Sequence, residues 1–155
     1  MSRKILIRKR FFKPELKYNN FLIHLLINRV LKKGKKELAK RIVYTSLKLL
    51  ETKINKNPIL ILEKAVRNLI PRVKLQSKKV GGVTHQVPII LNRFKGVNLA
   101  IRWLTESARK RNGKNIIIKL TNEILDSLKY LGNSIKKKEE IHKMAEANKA
   151  FLQTN

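Results

Sequence analysis

The sequence contains no cysteine, so it can form no disulfide and offers no thiolate to a metal. Acidic residues are scarce: 10 Asp plus Glu stand against 37 Lys plus Arg, a formal net charge of +27. Self-repulsion of that size works against a compact state, so the composition points to a polyanionic partner. The deficit is also local, because no acidic residue lies between Glu63 and Glu106. Lys64, Arg67, Arg72, Lys74, Lys78, Lys79, Arg93, Lys95 and Arg102 all fall inside that gap. No apolar run approaches the roughly 18 residues that cross a membrane. The N-terminal MSRKILIRKRFF is basic but has no apolar stretch of the signal-peptide kind, so a soluble chain not exported by that route is expected.

Groups for catalysis are equally few. His24, His85 and His142 belong to no metal-ligand spacing such as H-E-x-x-H, and Asp126 is the only aspartate. No glycine-rich loop opens a helix after a strand, so a nucleotide-binding fingerprint is absent. The expectation is a binding protein, not an enzyme, with no metal or cofactor.

What the chain does have is enough apolar residue, 43%, to bury a core within one domain over residues 1–155. The only convincing strand signal is QSKKVGGVTHQVPIIL, from Gln76 to Leu91. Gly81-Gly82 is a turn pair, flanked by β-branched residues. Pairing outward sets Val80 opposite Val83, Lys78 opposite His85, Leu75 opposite Pro88 and Val73 opposite Ile90. Val73, Leu75, Pro88 and Ile90 then share one face, which can lie on a core. The outer half carries Lys78, Lys79, Thr84, His85 and Gln86 and has little to bury, so it is expected to touch another molecule.

The rest reads as helix. Residues 1–18 form a basic arm, with Arg3, Lys4, Arg8, Lys9 and Arg10, interrupted by Pro14. Asn19 or Asn20 caps a first helix that carries Phe21, Leu22, Leu25, Leu26 and Val30 and ends at Gly34. A second runs from about Lys35 to Lys53, with Leu38, Ile42, Leu49 and Leu50 expected inward. Asn57-Pro58 starts a third, with Leu62, Ala65, Val66, Leu69 and Ile70, which Pro71 stops. Val97 to Arg111 is the fourth. Its stripe of Leu99, Ala100, Trp103, Leu104, Ser107 and Ala108 makes Trp103 core rather than a base-stacking platform. Asn115 caps the fifth, with Ile117, Leu120, Ile124, Leu128 and Leu131 on one face and Gly132 at its end. The sixth runs from about Ser134 to Phe151, with Ile141, Met144, Ala145 and Phe151 inward. Lys136, Lys137 and Lys138 open it against the helix dipole, which suggests a phosphate partner. The fold expected is mainly α: a six-helix bundle with one protruding β-hairpin arm between helices three and four and a basic N-terminal tail. Its parts are residues 1–18, 19–71, 72–91 and 92–155.

Three motifs, in order, are similar to one family. Ser77 to Pro88 reads SKKVGGVTHQVP where the family has S-R-R-V-G-G-x-T-Y-Q-V-P. Leu99 to Leu104 and Ala108 to Arg111 are similar to its A-x-R-W and A-R-K-R helix. Lys136 to Phe151 resembles the family's ending, and Gly34-Lys35-Lys36 and Ile42-Val43-Tyr44 match earlier blocks. The chain thus resembles small-subunit ribosomal protein seven in its bacterial and organellar form. The resemblance implies a structural protein that binds small-subunit rRNA directly and nucleates assembly of the head. It also implies a place near the exit-site tRNA and the mRNA path, beside head and platform proteins. Carried over by motif, the RNA-facing residues are Lys35, Lys36, Lys78, Lys79, Arg102, Arg109, Lys110, Arg111, Lys136, Lys137 and Lys143. The basic pattern adds Lys74, Lys114 and the cations of the arm, while Gly81 and Gly82 shape the tip and His85 stands where the family often has Tyr. Lysines at 78 and 79 replace arginines and give up bidentate phosphate contact. The alternatives from charge alone are an architectural DNA binder and a basic protein on anionic membranes. Helical faces spread over six elements argue against the membrane. Lysine, isoleucine and asparagine are abundant, as an AT-rich genome tends to give, which points to an organelle-encoded or reduced-genome protein; the expected location is the ribosome, a plastid being favoured and a bacterial cytoplasm or a mitochondrion being the alternatives.

Overall fold

The computed structural model describes residues 14–80 and 82–149. Six helices and one hairpin follow in order: α1 (Phe21–Val30), α2 (Lys36–Ile54), α3 (Pro58–Leu69), β1 (Val73–Val80), β2 (Val83–Ile90), α4 (Arg93–Lys110), α5 (Ile116–Leu128) and α6 (Asn133–Ala147). Three of the helices begin on asparagine caps. Asn20 Oδ1 accepts from Leu22 N at 2.8 Å, Asn57 Oδ1 from Ile59 N at 2.9 Å and Asn115 Oδ1 from Ile117 N at 3.0 Å. Each cap satisfies an N–H that the helix cannot, for about 1 kcal/mol.

Three helix C-termini, those of α1, α3 and α5, meet side chains from elsewhere in the chain. Arg109 Nη2 donates to the carbonyls of Arg29 and Val30, at 2.9 and 3.1 Å, on the last turn of α1. Lys138 Nζ donates to Asn68 O at 2.6 Å near the end of α3. Asn68 Nδ2 in turn donates to Ser127 O at 3.1 Å and Leu128 O at 3.4 Å at the end of α5. Cations on the carbonyl end of a helix also suit its dipole.

α5 packs against α2, α3, α4 and α6, and its placement explains where the simple apolar pattern fails. On α2 the buried stripe is Ala39, Val43, Ser46, Leu47 and Leu50, so Leu50 is core as expected. Leu38 is half exposed, and Ile42 and Leu49 are only partly covered. The stripe is rotated because Ser46 faces α5: its Oγ donates to Ile42 O at 2.8 Å and lies 3.3 Å from Ile117 O. Thr121 Oγ1 bonds Ile117 O at 2.9 Å and reaches Ser46 O at 3.4 Å. Small hydroxyl side chains let two backbones approach where larger residues would hold them apart.

Other boundaries shift for local reasons. α1 ends at Val30, before Gly34, which sits in the following loop with φ of 74°. α4 starts at Arg93 rather than Val97, because Gly96 is inside it. A Cβ there would meet Ile70 Cγ2 at 3.0 Å, so this glycine permits close packing on the end of α3. Leu131 lies beyond α5 in the turn to α6 and is exposed, and Met144 is half exposed on α6. Phe151 falls outside the described residues, as do Gly81 and the arm cations Arg3, Lys4, Arg8, Lys9 and Arg10. Just after them, Glu15 is buried and accepts from Lys17 N and Tyr18 N, each at 2.8 Å, and from the Tyr44 hydroxyl on α2.

The hairpin register is the one expected: Val80 pairs Val83, Lys78 pairs His85, Leu75 pairs Pro88 and Val73 pairs Ile90. The covered face is not. Pro88 is buried but Ile90 is 82% exposed, while Val87, on the opposite face, is buried. The base is therefore partly covered on both faces, through Val87 on one and Pro88 on the other. α6 packs against β1, and Asn148 Nδ2 donates to Gln86 O at 3.0 Å. Trp103 is core, 3% exposed, as its stripe implied.

Candidate nucleic-acid interface

Surface cations gather in two places joined by one contact. The first is a cleft of about 460 Å³ between the end of α1, the hairpin base and the start of α4. Arg29, Lys74, Lys95 and Arg102 line it, together with Phe94, Leu91, Asn98 and Leu99. No carboxylate is among these residues. Lys74 sits there because side chains alternate along β1, so it shares a hairpin face with Lys78 and His85, while Lys79 and Thr84 share the other. The hairpin thus carries cations on both faces, with Lys78 and Lys79 exposed near the tip, and Gly82 turns the chain with φ of 88°.

The second is the α1–α2 loop, where Lys32, Lys33, Lys35 and Lys36 are all exposed. Lys33 and Gly34 take positive φ, 50° and 74°, which turns the chain sharply. Lys32, Lys33, Lys35 and Arg109 border an apolar groove of about 370 Å³ floored by Val30, Leu38, Ile42 and Ile116. This groove accounts for the exposure of Leu38 and Ile42. Arg109 binds the backbone of Arg29, so the loop cluster continues into the cleft.

Other expected RNA-facing side chains have partners within the protein. Arg102 Nε donates to Glu106 Oε1 at 2.8 Å, and Lys137 Nζ donates to Glu106 Oε2 at 2.8 Å. These two cations hold the Glu106 carboxyl below the ordinary carboxylate range. Arg111 is half-buried between the Glu123 and Asp126 carboxylates. Burial pulls its pKa down, but the two carboxylates outweigh that and raise it. Lys110, Lys114, Lys136 and Lys143 are exposed but line neither the cleft nor the groove.

Glu123 was not visible as a functional element in the sequence. It is fully buried, and Ser134 donates to its Oε1 from N at 3.0 Å and from Oγ at 2.7 Å. This knot fixes α6 against α5 through Gly132, whose φ is 94° and whose missing Cβ would lie 3.1 Å from Glu123 Oε1. Arg29, Phe94 and Asn98 were also missed as cleft residues. The acid-free stretch between Glu63 and Glu106 marked Lys74, Lys95 and Arg102, but Arg29 lies on another helix and carries no such signal.

Among the described residues no group of His, Asp or Glu is placed to hold a metal ion, and no helix is long and apolar enough to cross a membrane. Anion binding by exposed cations is the chemistry this surface supports. Residues 2–149 match the family model described as ribosomal protein S7p/S5e, a match that reaches into the basic arm.

Proposed function

The chain belongs to the ribosomal protein S7p/S5e family, and from that premise we propose that it binds the head region of small-subunit rRNA directly and nucleates assembly of the head. As a family member it is a structural constituent of the small ribosomal subunit that binds rRNA. The observation that carries the finer reading is the cationic band from the exposed hairpin through the acid-free cleft to the α1–α2 loop. A compact helical body with a projecting basic arm suits folded RNA, which is read by shape, backbone and 2′-hydroxyl contacts. Lys35, Lys36, Lys74, Lys78 and Lys79 are the contacts this band supports best, with Arg102 at the edge of the cleft and shared with Glu106. Lys110, Lys114, Lys136 and Lys143, which are exposed, and the arm cations Arg3, Lys4, Arg8, Lys9 and Arg10 are proposed as further RNA contacts.

The apolar groove lined by Leu38 and Ile42, and separately the exposed Leu60 on α3, support contact with neighbouring head and platform proteins. Placement beside exit-site tRNA and the mRNA path is part of the same proposal, and the exposed hairpin tip suits it. The lysine and isoleucine bias suits an organellar or reduced-genome ribosome, and a plastid one is the reading proposed.

The test is a salt titration of binding to the head fragment of small-subunit rRNA and to an unrelated folded RNA of equal length. Counterion release alone makes both affinities fall along one slope. Retention of a large advantage for the head fragment at high salt is the expected result. Equal loss on both RNAs would reduce the protein to a non-specific polyanion binder.

A further inference from the structure

Glu106 lies on α4 one turn past Arg102 and takes hydrogen bonds from two cations on different helices. Arg102 Nε donates to its Oε1 and Lys137 Nζ, from α6, to its Oε2, each at 2.8 Å. An exposed ion pair of the Arg102–Glu106 kind ordinarily adds little to stability. With the cation N-terminal to the carboxylate it also runs in the weaker order along a helix. Lys137 changes that, because α6 packs on α4 and pins the carboxylate from the other side. The side chains of Glu106 and Lys137 are 33% and 39% exposed, so this end of the trio belongs to the body. That of Arg102 is 59% exposed, and it lines the acid-free cleft with Arg29, Lys74 and Lys95.

We propose that Glu106 is a positioning residue for RNA binding, which takes Arg102 by Nε and so aims the terminal nitrogens of the guanidinium at a phosphate in the cleft. The inference rests on the rRNA-binding reading above and deepens it by naming what orders one of the contacts. Nη1 and Nη2 are the fork with which an arginine grips a phosphate through two hydrogen bonds. An arginine side chain that is loose beforehand must be immobilised on binding, which costs roughly twofold to tenfold in affinity. Glu106 orders it before the RNA arrives. A carboxylate alone at this place would repel the phosphate. Lys137 offsets its charge, and the trio keeps the net charge of a lone arginine. The same two cations hold the carboxyl below the ordinary carboxylate range, so it is ionised at neutral pH.

The experiment measures affinity for an in vitro transcript of the small-subunit rRNA head fragment and for an unrelated folded RNA of equal length. Glu106→Ala removes the acceptor together with its negative charge. It is expected to weaken head-fragment binding by roughly twofold to tenfold, against the tightening that charge alone predicts. Glu106→Gln removes the same charge but keeps one acceptor for Nε, and it should recover most of the loss. Arg102→Gln should weaken binding and lower the slope of log affinity against log salt by about one unit. In that background Glu106→Ala should weaken binding no further, whereas a folding defect would lower affinity with or without Arg102. Head-fragment binding in Glu106→Ala as tight as in the unaltered protein, or an equal loss in both backgrounds, overturns the positioning role. Equal affinity of the unaltered protein for the two RNAs at high salt overturns the head-binding reading instead, and the cycle between Glu106 and Arg102 decides the positioning role on either RNA.

Discussion

Arg111 Nη2 lies 3.0 Å from Glu123 Oε2, and the Glu123 side chain is fully buried while that of Arg111 is one-quarter exposed. The pair joins the end of α4 to α5, and Asp126 takes the same guanidinium. Removing one partner of a buried pair leaves the other charge uncompensated. Arg111→Ala should therefore destabilise the fold by about 3 kcal/mol, and Arg111→Lys by less, with loss of the shared fork. Urea unfolding measures this directly. A variant of normal stability that binds RNA poorly would instead make Arg111 an RNA contact.

That pair shows where the sequence was legible and where it was not. The element order, the hairpin register and the asparagine caps depend on neighbours in the chain, and all could be read. Ser46, Glu123 and Arg111 owe their roles to contacts across 71, 11 and 12 positions. No local pattern marks a serine as the place where two helices touch. A basic residue near a helix end looks the same whether it meets a phosphate or a buried carboxylate. Likewise Leu38 fits the helical period but lies beside a groove that only the packing of α1, α4 and α5 creates.

Trp103 lies on α4 and is core rather than surface. Emptying a large aromatic site usually costs about 3–5 kcal/mol, part for the burial given up and part for the cavity. Trp103→Ala should cost that much in denaturant unfolding. A change near zero would show that the ring contributes little to packing.

His142 Nε2 accepts a hydrogen bond from Arg72 N at 3.3 Å, which ties α6 to the segment entering β1. Burial lowers the His142 pKa below its ordinary 6.5, the Lys138 and Arg72 charges lower it further, and Glu146 opposes them. The unfolded chain therefore binds the proton more readily than the folded one. Stability is complete above the unfolded value and falls as pH drops from there through the folded value, where the loss levels off. Protonation also removes the acceptor from Arg72 N–H. Loss of that bond is worth about 1 kcal/mol, or about 2–4 °C in Tm for a chain of this size. Thermal melts at about pH 7 and pH 5 should show the drop, and His142→Gln should show less of it. An identical pH profile in the variant would assign the acid sensitivity to the carboxylates.

Lys78 and Lys79 are exposed near the hairpin tip, on opposite faces, while Val87 and Pro88 are buried nearer the base. Binding and stability are thus expected to separate along one element: the base is anchored on the body, and the tip lysines are exposed beyond it. Lys78→Glu with Lys79→Glu should leave helical content and Tm nearly unchanged, because surface substitutions of this kind stay within about 0.5 kcal/mol. The same variant should bind the head fragment more weakly, and the slope of log affinity against log salt should fall by about one unit for each phosphate that the tip no longer neutralises. Reversing the charges also adds repulsion, so Lys78→Gln with Lys79→Gln isolates the missing attraction. If both variants kept wild-type affinity and slope, the tip would lie clear of the RNA, and the cleft and loop lysines alone would carry the binding. A collapse in Tm would mean that the tip lysines support the fold.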